Sequence, residues 1–253
     1  MTSFGTTPYR GCHYGDKNCA LADASGEIGE LQQILTRLKN GSFEAVSDLV
    51  PFTRSASFDV RQYAQQLLAH VCTNEQVIEF QSSIESVEEI DEACRLAIRL
   101  GESLSINGVD LLLNLREDFQ DGKVNDFVFT GLRVLLPLQS SDCELDDDEL
   151  RQACSSLMST LPRDEYFYRG EPVAIGEICK ELITLCLVAN REKKSLVAFR
   201  QPQILSNFSG IICPVEHGQN VDDAAMNKVF DYVEVLSKMA WEVGKKYFYQ
   251  QSV

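Results

Sequence analysis

The sequence predicts an all-α protein made of stacked antiparallel helical hairpins. From residue 25 onward, apolar residues recur at spacings of three and four, which places them on one face of successive helices. Strand signals are scarce and are confined to residues 195–215. The predicted helices also come in short-then-long pairs joined by tight turns, and this pairing favours hairpins that stack side by side.

The chain divides into an N-terminal segment and one helical domain. Residues 1–24 are rich in Gly, Thr and Tyr and show no sustained period, so we expect them to be irregular. Residues 25–253 are predicted to form a single helical-repeat-like domain, because the helical pattern continues to the end of the sequence.

The first predicted helix carries an apolar stripe from Ile28 to Leu38 and stops before Gly41, a residue that suits the left-handed backbone of a helix end. Ser42 can cap a short helix over residues 43–50. Later helices are predicted to open at Ser57 and to span residues 75–84, 86–103, 107–119, 124–138, 146–160, 173–190 and 222–249.

Residues 195–215 are the exception to the helical pattern. Two apolar runs, at 196–199 and 211–213, flank Pro202 and Gly210. This stretch is predicted to be either a small hairpin or an irregular insertion before the last helix.

One local sequence, residues 58–68, resembles the second helix of a HEAT-type repeat. It shows the order typical of that family: an Asp, then Val-Arg, then an Ala three positions on, then two aliphatic residues. A degenerate second copy, residues 90–97, has Asp91 in place of the Arg. The resemblance is good over one repeat and loose over about 120 residues. It implies that Asp59 and Arg61 bridge neighbouring repeats while the apolar residues pack between helices.

Composition narrows the class of protein. The chain has 253 residues, a formal charge of −15 and 44% hydrophobic residues, which is too apolar for a disordered chain. Such an acidic chain repels phosphate backbones, so direct nucleic-acid binding is not expected. Neither a secretory signal nor an apolar run of about 20 residues occurs, so we expect a soluble cytoplasmic protein without membrane contact. The nine cysteines lie mostly in apolar helical patterns and are predicted to be reduced thiols.

The negative charge is concentrated in the middle third of the sequence. Residues 74–149 hold 19 acids and 5 bases, whereas residues 1–73 carry a net charge of −1 and residues 150–253 a net charge of zero. Two clusters dominate, at residues 85–92 and 142–149.

Each acidic cluster has two interpretations. Both lie at predicted helix starts, where Ser86 or an Asp can cap the helix and carboxylates favour the positive end of its dipole. Stacked hairpins would also bring several such starts onto one edge, where a cationic partner would relieve their repulsion. A calcium site at residues 142–149 is disfavoured, because the EF-hand spacing and its central Gly are absent.

Signals for catalysis or cofactor binding are weak. Cys12, His13 and Cys19 could supply three metal ligands, but their spacing matches none of the common zinc patterns. His70 lies on the apolar stripe of a helix, before Val71, and is predicted to be a core or semi-buried histidine, whereas His217 is predicted to lie in a turn. Phosphate-binding loops, nucleophile elbows and zinc-protease motifs are absent, so we expect neither an enzyme nor a bound cofactor.

An aromatic segment at residues 164–172 contains Tyr166 and Tyr168 beside Arg169. Tyr and Arg in a loop between helices suit an interface hot spot, and the acidic residues around them suit a basic partner. The alternative, slightly preferred, is an aromatic loop folded back onto the neighbouring helices.

These features favour a binding protein. The sequence is similar in character to bacterial immunity proteins of contact-dependent and polymorphic toxin systems. That similarity implies a basic toxin domain as the partner, with a nuclease as the first candidate. The immunity protein would bind over the active site of the toxin and block it. The alternatives are a HEAT-like scaffold or assembly factor for another protein, similar to helical-repeat subunits of pigment-attachment lyases, and a HEAT-like DNA glycosylase, which would need a basic groove. The candidate partner-binding residues are Glu85, Glu88, Glu89 and Asp91, followed by Asp142, Glu144, Asp146, Asp147, Asp148, Glu149, Tyr166 and Tyr168.

Overall fold

The computed structural model describes residues 26–253 and confirms the all-α class. Within them the α-helices are α1 (Gly26–Lys39), α2 (Val46–Leu49), α3 (Phe58–Val71), α4 (Gln81–Ser86), α5 (Ile90–Glu102), α6 (Gly108–Phe119), α7 (Gly122–Leu135), α8 (Asp147–Met158), α9 (Ile175–Glu192), α10 (Gln201–Ser209) and α11 (Asp223–Ser237). Short 3₁₀ turns lie at Phe43–Ala45, Val50–Arg54, Gln76–Phe80 and Ser140–Glu144. Two antiparallel strand pairs complete the fold, β1 (Phe167–Tyr168) with β2 (Glu171–Pro172) and β3 (Tyr247–Phe248) with β4 (Gln251–Ser252).

Several boundaries differ from the sequence prediction. The helix expected over 222–249 ends at Ser237, and the chain then turns at Gly244 (φ +76°) into the second strand pair. Residues 195–215 contain α10 between two irregular stretches instead of a hairpin, with one isolated bridge from Ser195 to Asn220. The predicted N-terminal segment, with Cys12, His13 and Cys19, lies outside the described residues.

The start of α5 also differs. Ser86 ends α4 and its hydroxyl donates to the Ser83 carbonyl, so it does not cap α5. Glu89 holds the N-cap position of α5 without a side-chain hydrogen bond to the helix. Aspartates cap the later helices instead: Asp121 accepts from two backbone N–H groups of α7, and Asp146 and Glu149 form a capping box on α8.

Alternate helices are neighbours in the packing. Helix α5 packs against both α3 and α7, while α6 packs against α4 and α8. Such an order of neighbours is what stacked helical hairpins would give, and the HEAT-type repeat itself stays a prediction. Ion pairs from Glu92 to Arg61 and from Asp91 to Lys123 join the first turns of α3, α5 and α7, so these three helices begin at the same end of the molecule.

Helices α5 and α7 approach closely because glycines face each other. A Cβ added to Gly101 would lie 3.0 Å from the Cα of Gly131. A Cβ on Gly131 would lie 2.8 Å from the carbonyl oxygen of Ala97 and 3.0 Å from a methyl carbon of Leu112. The contact therefore depends on the absence of side chains at both positions.

We expect Gly131→Ala to destabilise the protein by about 1–3 kcal/mol, because the added methyl group forces the helices apart. Gly122→Ala is the matched control in the same helix, since its Cβ would meet nothing within 4 Å. Urea unfolding followed by circular dichroism measures both variants. Equal stability of the Gly131 and Gly122 variants would contradict the close helix contact.

The buried apolar residues form two cores, and the C-terminal hairpin belongs to both. The larger core extends from α1 to α8 and includes Phe248, which is fully buried. The smaller core lies mostly among α9, α10 and α11 and includes Tyr247. Two consecutive residues of β3 therefore join the two cores.

The two hairpins dock in the same way. Each has a two-residue turn with positive φ at both positions, at Arg169–Gly170 and at Tyr249–Gln250. The two turn N–H groups donate to carbonyls in the last turn of a helix, those of Val134 and Leu135 in α7 and those of Asn207 and Phe208 in α10. These bonds satisfy carbonyls that a helix end leaves unpaired.

Candidate functional site

Three acidic segments meet at one end of the molecule. They are residues 85–92 before and within the start of α5, residues 117–126 around the turn from α6 to α7, and residues 142–149 at the start of α8. Asp91 of the first segment pairs with Lys123 of the second at 2.5 Å, and Arg116, the residue just before the second segment, pairs with Asp147 of the third at 2.7 Å. We call these three segments together the acidic end.

The acidic end contains fifteen carboxylates and one lysine. The sequence indicated two of its three segments. The middle one, residues 117–126, is less obvious because its four acids are spread across a helix end and a turn and are interrupted by Lys123. Only the antiparallel turn between α6 and α7 brings it between the other two.

The first group of predicted partner-binding residues lies on the surface. Glu85, Glu88, Glu89 and Asp91 are all exposed. Glu85 accepts a hydrogen bond from the Gln81 amide, and Lys123 holds the pKa of Asp91 below its ordinary value by a hydrogen bond and by its charge. Among the described residues, Glu88 and Glu89 make no side-chain hydrogen bond or ion pair.

In the second group, residues 142–149, some side chains bond to the local backbone and others face solvent. Asp146 and Glu149 cap α8, and Asp142 accepts from the backbone N–H of Gln139. Asp147 pairs with Arg116, whereas Glu144 and Asp148 are exposed and have no such partner within residues 26–253. Asp146 and Glu149 therefore confirm the capping interpretation, whereas the partner-binding interpretation of the exposed residues stays a prediction.

The two tyrosines have different environments. Tyr166 is buried, because β1 and β2 fold its ring against the helices, so it is not on the surface in this conformation. Tyr168 is half-buried; its hydroxyl donates to Glu181 at 3.1 Å and accepts from Gln201 at 3.1 Å. Neither residue belongs to the acidic end, since the hairpin docks on the opposite, C-terminal end of α7.

A buried lysine lies beneath the second hairpin. The ammonium group of Lys246 donates to the carbonyls of Ala69, Cys72 and Ser103, at 3.3, 2.5 and 3.1 Å. These carbonyls lie at the C-terminal ends of α3 and α5, where a helix dipole favours a positive charge. Burial lowers the pKa of Lys246, and its charge lies 4.8 Å from the centre of the Tyr166 ring.

A second polar group adjoins it around Glu102. This buried carboxylate pairs with Arg99 at 2.6 Å and with Arg200 at 2.8 Å, and His70 lies 3.8 Å away. Burial alone would raise the pKa of Glu102, but the two arginines, with His70, lower it below its ordinary value. His70, predicted to be in or near the core, is buried as expected. We call the groups around Lys246 and Glu102 the buried junction.

The cavity at the buried junction is too small for a substrate. Its lining combines charged side chains, among them Glu102, Arg200 and Lys246, with apolar ones, and its volume is about 10 Å³, which accommodates about one water molecule. Its polar groups already form ion pairs and hydrogen bonds with one another and with carbonyls at helix ends. The junction therefore joins the two halves of the fold rather than offering a binding pocket.

The cysteines of the described region are free thiols, and six of the seven are buried. Burial raises the pKa of Cys154, Cys179 and Cys186 to about 11 and that of Cys213 to about 12. Such thiols stay protonated near neutral pH and are weak nucleophiles. No group of three or more His, Cys, Asp or Glu in residues 26–253 is arranged to hold a metal ion.

Within the same residues, no helix combines the length and the apolar character needed to cross a membrane. Comparison with models of known protein families, with curated proteins and with solved structures finds no match to this chain.

Proposed function

We propose that this chain is a binding protein that covers the cationic active site of a basic partner with its acidic end, in the manner of an immunity protein directed against a toxin nuclease. The observation that supports it is the convergence of three acidic segments, with fifteen carboxylates and one lysine, at one end of a helical domain. Nuclease active sites bind phosphates through cationic groups, and a carboxylate surface offers them the same sign of charge.

The distribution of partners at the acidic end supports this proposal. Arg61, Lys123, Arg116 and Arg151 neutralise some carboxylates from within the fold. Six others are exposed and have neither a side-chain hydrogen bond nor an ion pair in the described structure: Glu88, Glu89, Asp118, Asp126, Glu144 and Asp148. Their mutual repulsion costs stability, and a cationic partner would remove that cost and be attracted over long distances.

We expect that replacing Glu85, Glu88, Glu89 and Asp91 together by Lys lowers retention of the partner at least tenfold, because eight units of charge change at one surface. The measurement is a pull-down from the native host's lysate with the tagged full chain, at low and high salt, read by mass spectrometry. A basic nuclease-like domain that is retained by the unchanged chain and elutes as salt rises is the expected result.

The matched control carries the same number of charge reversals elsewhere. Glu171, Glu216, Asp231 and Glu242 are exposed, lie outside the acidic end and make no side-chain ion pair in the described region. Their replacement by Lys should leave retention of the same protein within about threefold of the unchanged chain, since screening limits charge effects to about 8–10 Å. If both quadruple variants retain the partner equally, the acidic end is not the interface.

Salt dependence also separates this function from the scaffold alternative. An interface formed by the acidic end should have an association rate that falls steeply as ionic strength rises, with a smaller effect on the dissociation rate. A scaffold that holds its client by apolar contacts should show a nearly constant association rate over the same salt range.

A further inference from the structure

Two exposed apolar side chains lie within the acidic surroundings. Phe58 is the first residue of α3 and is 39% exposed, and Ile90 is the first residue of α5 and is 42% exposed. The first turns of these helices are joined by the Arg61–Glu92 ion pair at 2.6 Å, so Phe58 lies beside the acidic end and Ile90 lies within it. Neither side chain caps its helix, because Ser57 and Glu89 hold the N-cap positions.

The Phe58 ring is held in place by two guanidinium groups. Arg95 of α5 lies 4.8 Å from the ring centre and Arg61 lies 5.7 Å from it. Arg61 is tied to Glu92, while Arg95 has no ion pair among residues 26–253. The aromatic ring is thus fixed before any partner arrives, and binding it costs little conformational entropy.

Carboxylates alone make a poor source of affinity. Exposed ion pairs contribute little each, and their main effect is on the rate of association and on specificity. Tight interfaces contain a few apolar or aromatic anchors that exclude water, surrounded by a charged rim. At the acidic end, Phe58 and Ile90 have the position of such anchors, and Glu88, Glu89 and Asp91 have the position of the rim.

We propose that Phe58 and Ile90 are the apolar anchors of the acidic interface and that its partner is a cationic protein segment with an apolar side chain among its Lys or Arg residues. This inference rests on the proposed function, since the acidic end must be the interface. The negative charge of the surface favours a cationic partner. The two apolar side chains favour a partner that also carries an apolar side chain.

The test uses two synthetic peptides with the same charge. One repeats Lys-Lys-Gly four times and the other repeats Lys-Lys-Leu four times, and binding of each to the full chain is measured by calorimetry near physiological salt. We expect the chain to bind the leucine peptide at least tenfold more tightly, because one buried Leu side chain is enough for that factor. Ile90→Ser and Phe58→Ser should each reduce the preference to about threefold or less, with helicity checked by circular dichroism.

Ile78→Ser is the matched control for Ile90→Ser. Ile78 is 58% exposed and lies beyond the C-terminal end of α3, away from the acidic end. This variant should keep the full preference for the leucine peptide. Two results would contradict the role of Phe58 and Ile90 as anchors while leaving the acidic interface intact. One is salt-sensitive binding of both peptides with equal affinity, and the other is loss of the preference in the Ile78 variant. Failure of both peptides to bind would overturn the acidic interface and the anchors together.

Discussion

Lys246→Met should destabilise the protein by about 3–5 kcal/mol, because it removes a buried cation whose three carbonyl partners stay behind. Met fills nearly the same volume as the lysine stem, so the expected loss does not come from a cavity. It comes from the carbonyls of Ala69, Cys72 and Ser103, which point into the protein and would lose the ammonium group that donates to all three.

The balance at Lys246 explains why the effect is large. Burying an ammonium group costs several kcal/mol, and three charge-assisted hydrogen bonds of about 1.5–3 kcal/mol each roughly offset that cost. Replacing Lys246 by Met removes both of these contributions and leaves the desolvated carbonyls, each of which costs about 1–3 kcal/mol. The substitution also loosens the hairpin that joins the two cores through Tyr247 and Phe248.

Lys245→Met is the matched control, one residue earlier in the chain. Lys245 is half-buried and has no side-chain hydrogen bond or ion pair in the described region, so its replacement should change stability by less than about 0.5 kcal/mol. Urea unfolding followed by circular dichroism compares the two variants. A Lys246 variant within 1 kcal/mol of the unchanged protein would show that the carbonyls find other donors.

The helices could be predicted from sequence because their apolar residues repeat over long segments. The stripe of α3 and the caps at Asp121 and Asp146 are local signals, and the structure places helices at both caps. The charge concentration was also readable, since it needs only counting. The sequence does not show that residues 117–126 lie between the two obvious clusters, because that position depends on which helices are neighbours.

The two hairpins show the opposite case. Tyr-Phe-Tyr occurs at residues 166–168 and at 247–249, each time followed by a Val that closes the hairpin, and this repeat was a usable signal. It was obscured because each strand has only two residues, and the second follows an apolar stretch that continues the helical pattern of α11.

The repeated sequences are not aligned residue for residue in the structure. Pairing of Phe167 with Pro172 corresponds to pairing of Tyr247 with Ser252, so the second hairpin is shifted by one position. Lys246 therefore takes the place of Tyr166, and its side chain points into the core instead of the surface. A lysine three residues before a predicted helix end is expected at the surface, and only the register of the hairpin shows that it is buried.

Lowering the pH from 7 to 5 should cost the protein about 2 kcal/mol of stability through His70 alone. Burial lowers the pKa of His70 from its ordinary value of 6.5 to about 3; the Glu102 charge opposes that shift, whereas Arg99, Lys246 and Arg200 reinforce it. Between these two values the unfolded chain binds a proton at His70 that the folded protein does not. Stability is therefore fully present above pH 6.5 and falls as the pH decreases toward 3.

His70→Gln should remove most of this dependence, because an amide can accept and donate hydrogen bonds near Gln203 and Asn207 without titrating. His217→Gln is the matched control, since His217 is exposed and stacks on Phe199 with ring centres 3.8 Å apart. Urea midpoints measured at pH 7, 6 and 5 give the slope for each protein. A slope that the His70 and His217 substitutions reduce equally would mean that the buried imidazole does not control acid stability.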